Sequence, residues 1–157
     1  MKEIGDGLLL TFDSATSAVE CSIAIQKSVK EIKNLNIRIA IHQGEVILEN
    51  NDVIGNDVNI TSRIEPFSAI GGVAISDKIH KDISSNQEFK TKYVGMPKLK
   101  GVEQEVKVFC IVSHGLPETD LSKVAAKLEQ RSKIPKVTII AVICILITFS
   151  LYIFSKK

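Results

Sequence analysis

From residue 137 to residue 154 the chain carries no charge, and that run limits what everything before it can fold into. It reads Val-Thr-Ile-Ile-Ala-Val-Ile-Cys-Ile-Leu-Ile-Thr-Phe-Ser-Leu-Tyr-Ile-Phe. A membrane-crossing helix needs roughly 17–25 apolar residues, so the run is long enough, at the short end of that range. A buried core helix is the other structure such a run can form. Lys123, Lys127, Arg131, Lys133 and Lys136 precede the run, whereas Lys156 and Lys157 follow it, and Tyr152 sits near one end. This bracket favours a membrane span, with the lysine- and arginine-rich side in the cytoplasm. The expectation is a single-pass transmembrane helix over residues 137–155, a membrane localisation, and a preceding domain on the cytoplasmic side. Residues 1–20 lack the basic-then-apolar pattern of a signal peptide.

The remaining length suffices for one domain with a real core. Net charge is +2, from 20 Lys+Arg against 18 Asp+Glu, and the basic residues are not gathered on any one candidate helix. That balance gives no drive toward nucleic acid, and no nucleic-acid partner is expected. Cys21, Cys110 and Cys144 are far apart and odd in number, and His42, His80 and His114 are equally scattered. The pattern speaks against a zinc site or a disulfide framework and for a reducing setting.

Short apolar segments alternate with helical patterns before the run. Residues 2–4 and 8–12 read as two strands around Gly5-Asp6-Gly7, a hairpin signal because Asp-Gly tolerates positive φ. Asp13 is placed to cap a helix through about residue 33, with Ala18, Cys21, Ile25, Val29 and Ile32 on one face. Residues 37–42 alternate as a strand, Gly44 turns the chain, residues 45–48 return as a second strand, and residues 49–52 form a polar loop. Gly71-Gly72 breaks the chain before a short strand at 73–75 and a helix at 77–83 that Ser76 is placed to cap. Residues 89–100 and 104–112 read as closing strands with Gly101 in the turn. Interleaved strands and helices with several hairpins predict an α+β fold. Residues 114–136 read as a polar linker and a charged juxtamembrane helix, with Leu121, Val124 and Leu128 in a stripe.

The segment from Asp52 to Arg63 is the richest in chemistry. It reads as a glycine turn at Gly55 opening a helix that Asn56 or Asp57 caps. Ile60, Ile64 and Phe67 recur at helical spacing and should face the core. Asn59 and Arg63, four apart, stack on one face at the edge of that stripe. An amide beside a guanidinium suits a phosphate or polyphosphate. A capped surface helix with a solvated Asn and Arg has the same pattern.

Four segments in order resemble the class III nucleotidyl cyclase catalytic domain. Lys2-Glu3-Ile4-Gly5-Asp6-Gly7, followed by Phe12, is similar to the family's hairpin bearing a metal-binding aspartate. The stretch from Arg38 to Val46 is similar to its R-I-x-I-H-x-G strand turn, that from Asp52 to Arg63 to its D-x-x-G-x-x-V-N-x-x-x-R segment, and Leu99-Lys100-Gly101 to its late L-K-G turn. The resemblance implies a ferredoxin-like mixed sheet with helices on one face, and a partial cyclase domain over residues 1–113. It implies two divalent cations, Mg²⁺ or Mn²⁺, that polarise the nucleophile and neutralise phosphate charge. Asp6 would be one hard-oxygen ligand. Asn59 would orient the ribose, Arg63 would stabilise charge developing on the phosphates, and Lys100 would contact the terminal phosphates.

By the same resemblance Lys2 and Asp52 would read the base. A lysine donor to a ring nitrogen and a carboxylate accepting from an exocyclic amine match adenine, so ATP is the expected substrate and cyclic AMP the product. Guanine presents the opposite pattern and leaves those groups unpaired. No stretch of the sequence matches the family's F-x-D-I-x-G-F-T strand, which bears the other metal aspartate. The expectation is a chain that begins within the family's hairpin, with a half-complete metal site and an exposed sheet edge. Such a chain should be inactive alone, but able to lend its residues to a second cyclase protomer in a homo- or heterodimer. A non-catalytic regulatory or dimerisation module descended from a cyclase fits the same residues, as does, more distantly, a small nucleotide-binding anchor protein.

Overall fold

The structure is a computed structural model, and it describes residues 2–5, 7–49 and 52–122. The apolar run and the expected span lie outside the described residues. Among the described residues, no helix is long and apolar enough to cross a membrane.

Three hydrogen-bonded sheets are present among those residues. Strands β1 (Lys2–Ile4) and β2 (Gly7–Leu9) form an antiparallel hairpin. Gly5 in its turn has φ +63°, as the Gly-Asp-Gly signal predicts, and Asp6 lies outside the described residues. The second strand is shorter than expected, since residues 10–12 leave the ladder. Helix α1 (Ala15–Lys30) follows. Strand β3 (Ile39–Ile41) then starts the main sheet. Strands β4 (Ile47–Glu49) and β5 (Asp52–Ile54) make a second antiparallel hairpin. Helix α2 (Asn56–Ile64) runs into a 3₁₀ turn (Glu65–Phe67). Strand β6 (Val73–Ser76), helix α3 (Asp77–Ile83), β7 (Thr91–Gly95) and β8 (Val108–Ile111) complete the order.

The main sheet has the order β3-β6-β8-β7, with β3 and β6 parallel and the other pairs antiparallel. It is therefore mixed, as expected. Helices α1 and α3 share one core with it. Ala18, Val19 and Ile23 of α1, with Ile79 and Ile83 of α3, pack against Ile41, Val73, Ile75 and Ile111. Burying side chains of that size stabilises by roughly 1.5–3 kcal/mol each. Helix α2 packs along β3 and β6 and buries Ile60, Ile64 and, just beyond its end, Phe67, as its periodicity predicts.

Several local expectations are corrected. Helix α1 is capped by Ser14, not Asp13: the Ser14 Oγ accepts the Ser17 amide at 3.1 Å, and Asp13 sits one residue too early to do so. The helix ends at Lys30 because Glu31 and Ile32 switch to i−3 carbonyls, after which Asn34 takes φ +65°. Its buried stripe is Ala18, Val19, Ser22, Ile23 and Gln26 rather than the row through Cys21, Ile25, Val29 and Ile32. Ser22 and Gln26 can be buried because backbone carbonyls take their protons, Ala18 O at 2.7 Å and Gly72 O at 2.7 Å respectively.

The strand expected at 45–48 is β4, and it pairs with β5 rather than returning along β3, so Asp52 belongs to a strand rather than a loop. The two closing strands are shorter than 89–100 and 104–112. Gly95 and Gly101, with φ of +153° and +73°, and Pro97, without an amide proton, interrupt the ladder. The Leu99–Gly101 turn forms as expected, closed by the Val102 amide on Leu99 O at 3.2 Å.

Strand β3 stands at one end of the main sheet, and the β1–β2 hairpin makes a separate sheet. The exposed edge expected from the sequence is thus present among the described residues. Leu8 is 63 % exposed and Phe12 41 %, so apolar surface lies open on the hairpin and the segment after it. Residues beyond the expected boundary at 113 still touch the domain. Thr119 is buried and donates to Phe67 O at 3.0 Å, Leu116 packs against the core, and Glu118 pairs with Lys92.

Candidate functional site

The loop after β3 and the first turn of α2 are held together by two glycines and one carboxylate. Gly55 at the N-cap of α2 has no side chain, and a Cβ there would come within 2.9 Å of Glu45 O. Gly44 is more confined still. A Cβ at Gly44 would fall 1.9 Å from the Asp57 carboxyl carbon, so only glycine admits that side chain.

Neither Asn56 nor Asp57 caps α2, which has no side-chain cap. Asp57 faces the preceding loop instead. Its Oδ2 accepts the Glu45 amide at 2.9 Å, and its Oδ1 lies 2.9 Å from His42 Nε2. Its charge in the first turn also complements the helix dipole. The His42 side chain is 1 % exposed. Burial holds its pKa below the usual imidazole value of 6.5, and the bond and charge of Asp57 oppose that shift without reversing it.

Asn59 and Arg63 are both exposed on α2, four residues apart, so the structure brings this pair onto one helix face as the sequence predicts. The Asn59 backbone carbonyl is used by Ser62 Oγ at 2.8 Å, while Ile60 and Ile64 anchor the opposite face with no exposed surface. The helix is thus fixed at its first turn and along its buried side, and presents an amide and a guanidinium outward. Asp52 is half-buried on β5, where its Oδ1 accepts the Val53 amide at 2.6 Å. Lys100 is exposed in the Leu99–Gly101 turn, on a different connection from α2. Lys2 lies on β1, opposite Leu9. Asp6 is outside the described residues. Among the described residues, no group of three or more His, Cys, Asp or Glu could hold a metal ion, so they do not by themselves fit a two-metal centre.

Sequence reasoning alone missed His42, Gly44 and Asp57 as one unit. The signal lay in the H-x-G spacing after an alternating strand, but nothing in the sequence ties it to a carboxylate in the next helix.

A family model for the adenylate and guanylate cyclase catalytic domain matches residues 10–113. A protein of Rhizobium meliloti (strain 1021) named "Putative adenylate cyclase 3" is 33% identical over 115 residues, which is 69% of this chain and 20% of that protein. The chain thus spans a small part of that relative. Among solved structures, an adenylate/guanylate cyclase/hydrolase from Silicibacter pomeroyi matches at 29% identity with a TM-score of 0.65, over 73% of this chain and 72% of that one. The catalytic core of a rhodopsin-guanylyl cyclase with converted specificity, in complex with ATPαS, matches at 26% identity and a TM-score of 0.57, over 66% of this chain and 60% of that one. The match covers the main sheet, helix α2 and the late glycine turn, and the chain belongs to the adenylate and guanylate cyclase catalytic domain family.

Proposed function

We propose that this chain is an adenylate cyclase domain in signal transduction that contributes the base-reading and phosphate-stabilising half of a site converting ATP to cyclic AMP and pyrophosphate. The observation that carries this reading is α2: a helix locked at its N-terminus that presents Asn59 and Arg63 outward in a member of this family. The Arg63 guanidinium supplies fixed donors where charge grows on the phosphates, and Asn59 supplies an amide for the ribose. Lys100 adds a point charge for the terminal phosphates. Lys2 and Asp52 read the adenine edge. Cyclase domains of this class depend in general on divalent metal, bind nucleotide and often dimerise. No stretch of the sequence matches the family's F-x-D-I-x-G-F-T strand, so in this reading the metal half of the site comes from a partner protomer, and the chain is inactive alone.

Complementation tests it. The chain is mixed with a cyclase protomer whose asparagine and arginine at the matching positions are replaced by alanine. The expected result is cyclic AMP formation that neither component gives alone. No restoration overturns the reading and leaves a non-catalytic cyclase-like module, which the open β3 edge among the described residues also fits.

The uncharged run at 137–154 and its basic flank support a single-pass anchor with the domain in the cytoplasm. Carbonate extraction of membranes should leave the chain in the pellet. Release into the supernatant would remove the anchor.

A further inference from the structure

One polar atom of the α2 lock is left over. His42 Nε2 meets Asp57, but His42 Nδ1 is buried with no hydrogen-bond partner. Ser76 Oγ is in the same state, on a residue with no exposed surface. Strands β3 and β6 run parallel and Ile41 lies beside Ile75 as their last paired residues, so His42 and Ser76 follow as neighbours one step further on. Both turn away from the core that takes Ile41 and Ile75.

Each supplies what the other lacks. Asp57 accepts the Glu45 amide and so faces His42 as an acceptor, which puts the imidazole proton on Nε2 and leaves Nδ1 a bare lone pair. A serine hydroxyl rotates freely and can donate to it. Buried polar atoms are almost always satisfied, and these two lie on adjacent strand ends. Asp77 and Lys78, which open α3 directly after Ser76, are the other charged groups facing His42, and they act on it in opposite directions.

The geometry points to a relay in which Ser76 Oγ–H donates to His42 Nδ1 and His42 Nε2–H donates to Asp57 Oδ1, setting the orientation of α2 and so of Asn59 and Arg63. The two atoms are not in direct hydrogen-bond contact, so the hydroxyl reaches Nδ1 through one bridging water that keeps the same donor and acceptor roles. His42 and Ser76 are positioning residues that act through Asp57, the second residue of α2. The functional part of this inference rests on the reading of Asn59 and Arg63 as substrate-facing groups.

Nitrogen-detected NMR of the full chain in detergent tests it without relying on turnover. In the unmodified protein His42 should be the Nε2–H tautomer, with an Nδ1 shift typical of a hydrogen-bonded acceptor. Ser76→Ala should move Nδ1 toward a free imine nitrogen and raise the His42 titration midpoint by roughly half a unit or more, since a bond to the neutral form is lost. The Asn59 amide and Arg63 guanidinium signals should shift with it, and Ser76→Thr should restore all of them. An Nδ1–H tautomer in the unmodified chain overturns the relay even if Ser76→Ala does not fold. So does an unchanged His42 in Ser76→Ala, or a changed His42 with Asn59 and Arg63 unmoved. Absence of cyclic AMP from the complementation mixture, with the relay intact in this chain, counts against the cyclase reading alone.

Discussion

His42 sits where burial and a carboxylate compete for one proton. Burial prevails and the pKa lies below 6.5, so the unfolded chain binds a proton more readily than the folded one in the window below that value. Stability contributed by the neutral imidazole is therefore fully present above about pH 6.5 and lost as pH falls through the folded-state value. Denaturant unfolding at pH 7.5 and pH 5.5 should show a lower midpoint at the acid end, and His42→Gln should flatten that difference. Asp57→Asn removes an acceptor and sets an amide donor against the Glu45 amide or the imidazole. It should cost about 1–3 kcal/mol in the same measurement, as a buried donor loses its partner. Arg63→Ala, in the complementation assay, should lower kcat by about 10²–10³-fold with a smaller change in KM, the pattern of a group that acts on the transition state. An equal loss in KM alone would place Arg63 in ground-state binding. Lys2→Glu combined with Asp52→Asn should shift preference from ATP toward GTP, and an unchanged preference would remove those two residues from base reading.

At the scale of elements, α2 is the part on which the site depends, and its placement comes from both ends of its sequence neighbourhood. Gly44 makes room for Asp57, and Ile60 and Ile64 seat the helix against β3 and β6. Gly44→Ala should force the loop and the helix apart, since its Cβ would overlap a carboxylate held from two sides. Thermal melting should fall clearly for Gly44→Ala, and Gly44→Ala with Asp57→Ala should recover part of the loss by making space. Ile64→Ala should cost about 2–5 kcal/mol through the cavity it leaves. The hairpin of β1 and β2 was legible because Gly5-Asp6-Gly7 is a local turn signal, and the core stripe of α2 because its period is local too. The stripe of α1 was not. Ser22 and Gln26 look like solvent residues until the carbonyls of Ala18 and Gly72 are placed over them.

At the scale of the whole molecule, the deciding features are a main sheet that ends at β3 among the described residues and apolar side chains left exposed at Leu8, Phe12, Ile32 and Leu35. An open strand edge and exposed apolar side chains each invite association. That surface gives physical content to the reading of this chain as one half of a two-protomer site. The carboxyl-terminal part of the domain also reaches past the last strand, since Thr119 reports to Phe67 across the fold. Truncation after residue 113 should therefore destabilise the domain relative to truncation after residue 122, by circular dichroism melting.

The sequence by itself determined what depends on near neighbours along the chain. That includes the α+β class, the glycine turns, the inward face of α2, the pairing of Asn59 with Arg63 on one helix, and the four ordered motifs that mark the family. Those features rest on period, turn chemistry and spacing, which are local. Tertiary structure decided what depends on residues brought together from a distance. It placed Asp57 against His42 and Glu45 rather than at a helix cap, because a carboxylate gains more from a buried imidazole and an amide than from its own helix end. It paired β4 with β5, ended the main sheet of the described residues at β3, and set Ile41 beside Ile75, the residues just before His42 and Ser76, through the register of two parallel strands. Strand register and side-chain burial are settled by the whole chain packing at once, and no window of sequence contains them.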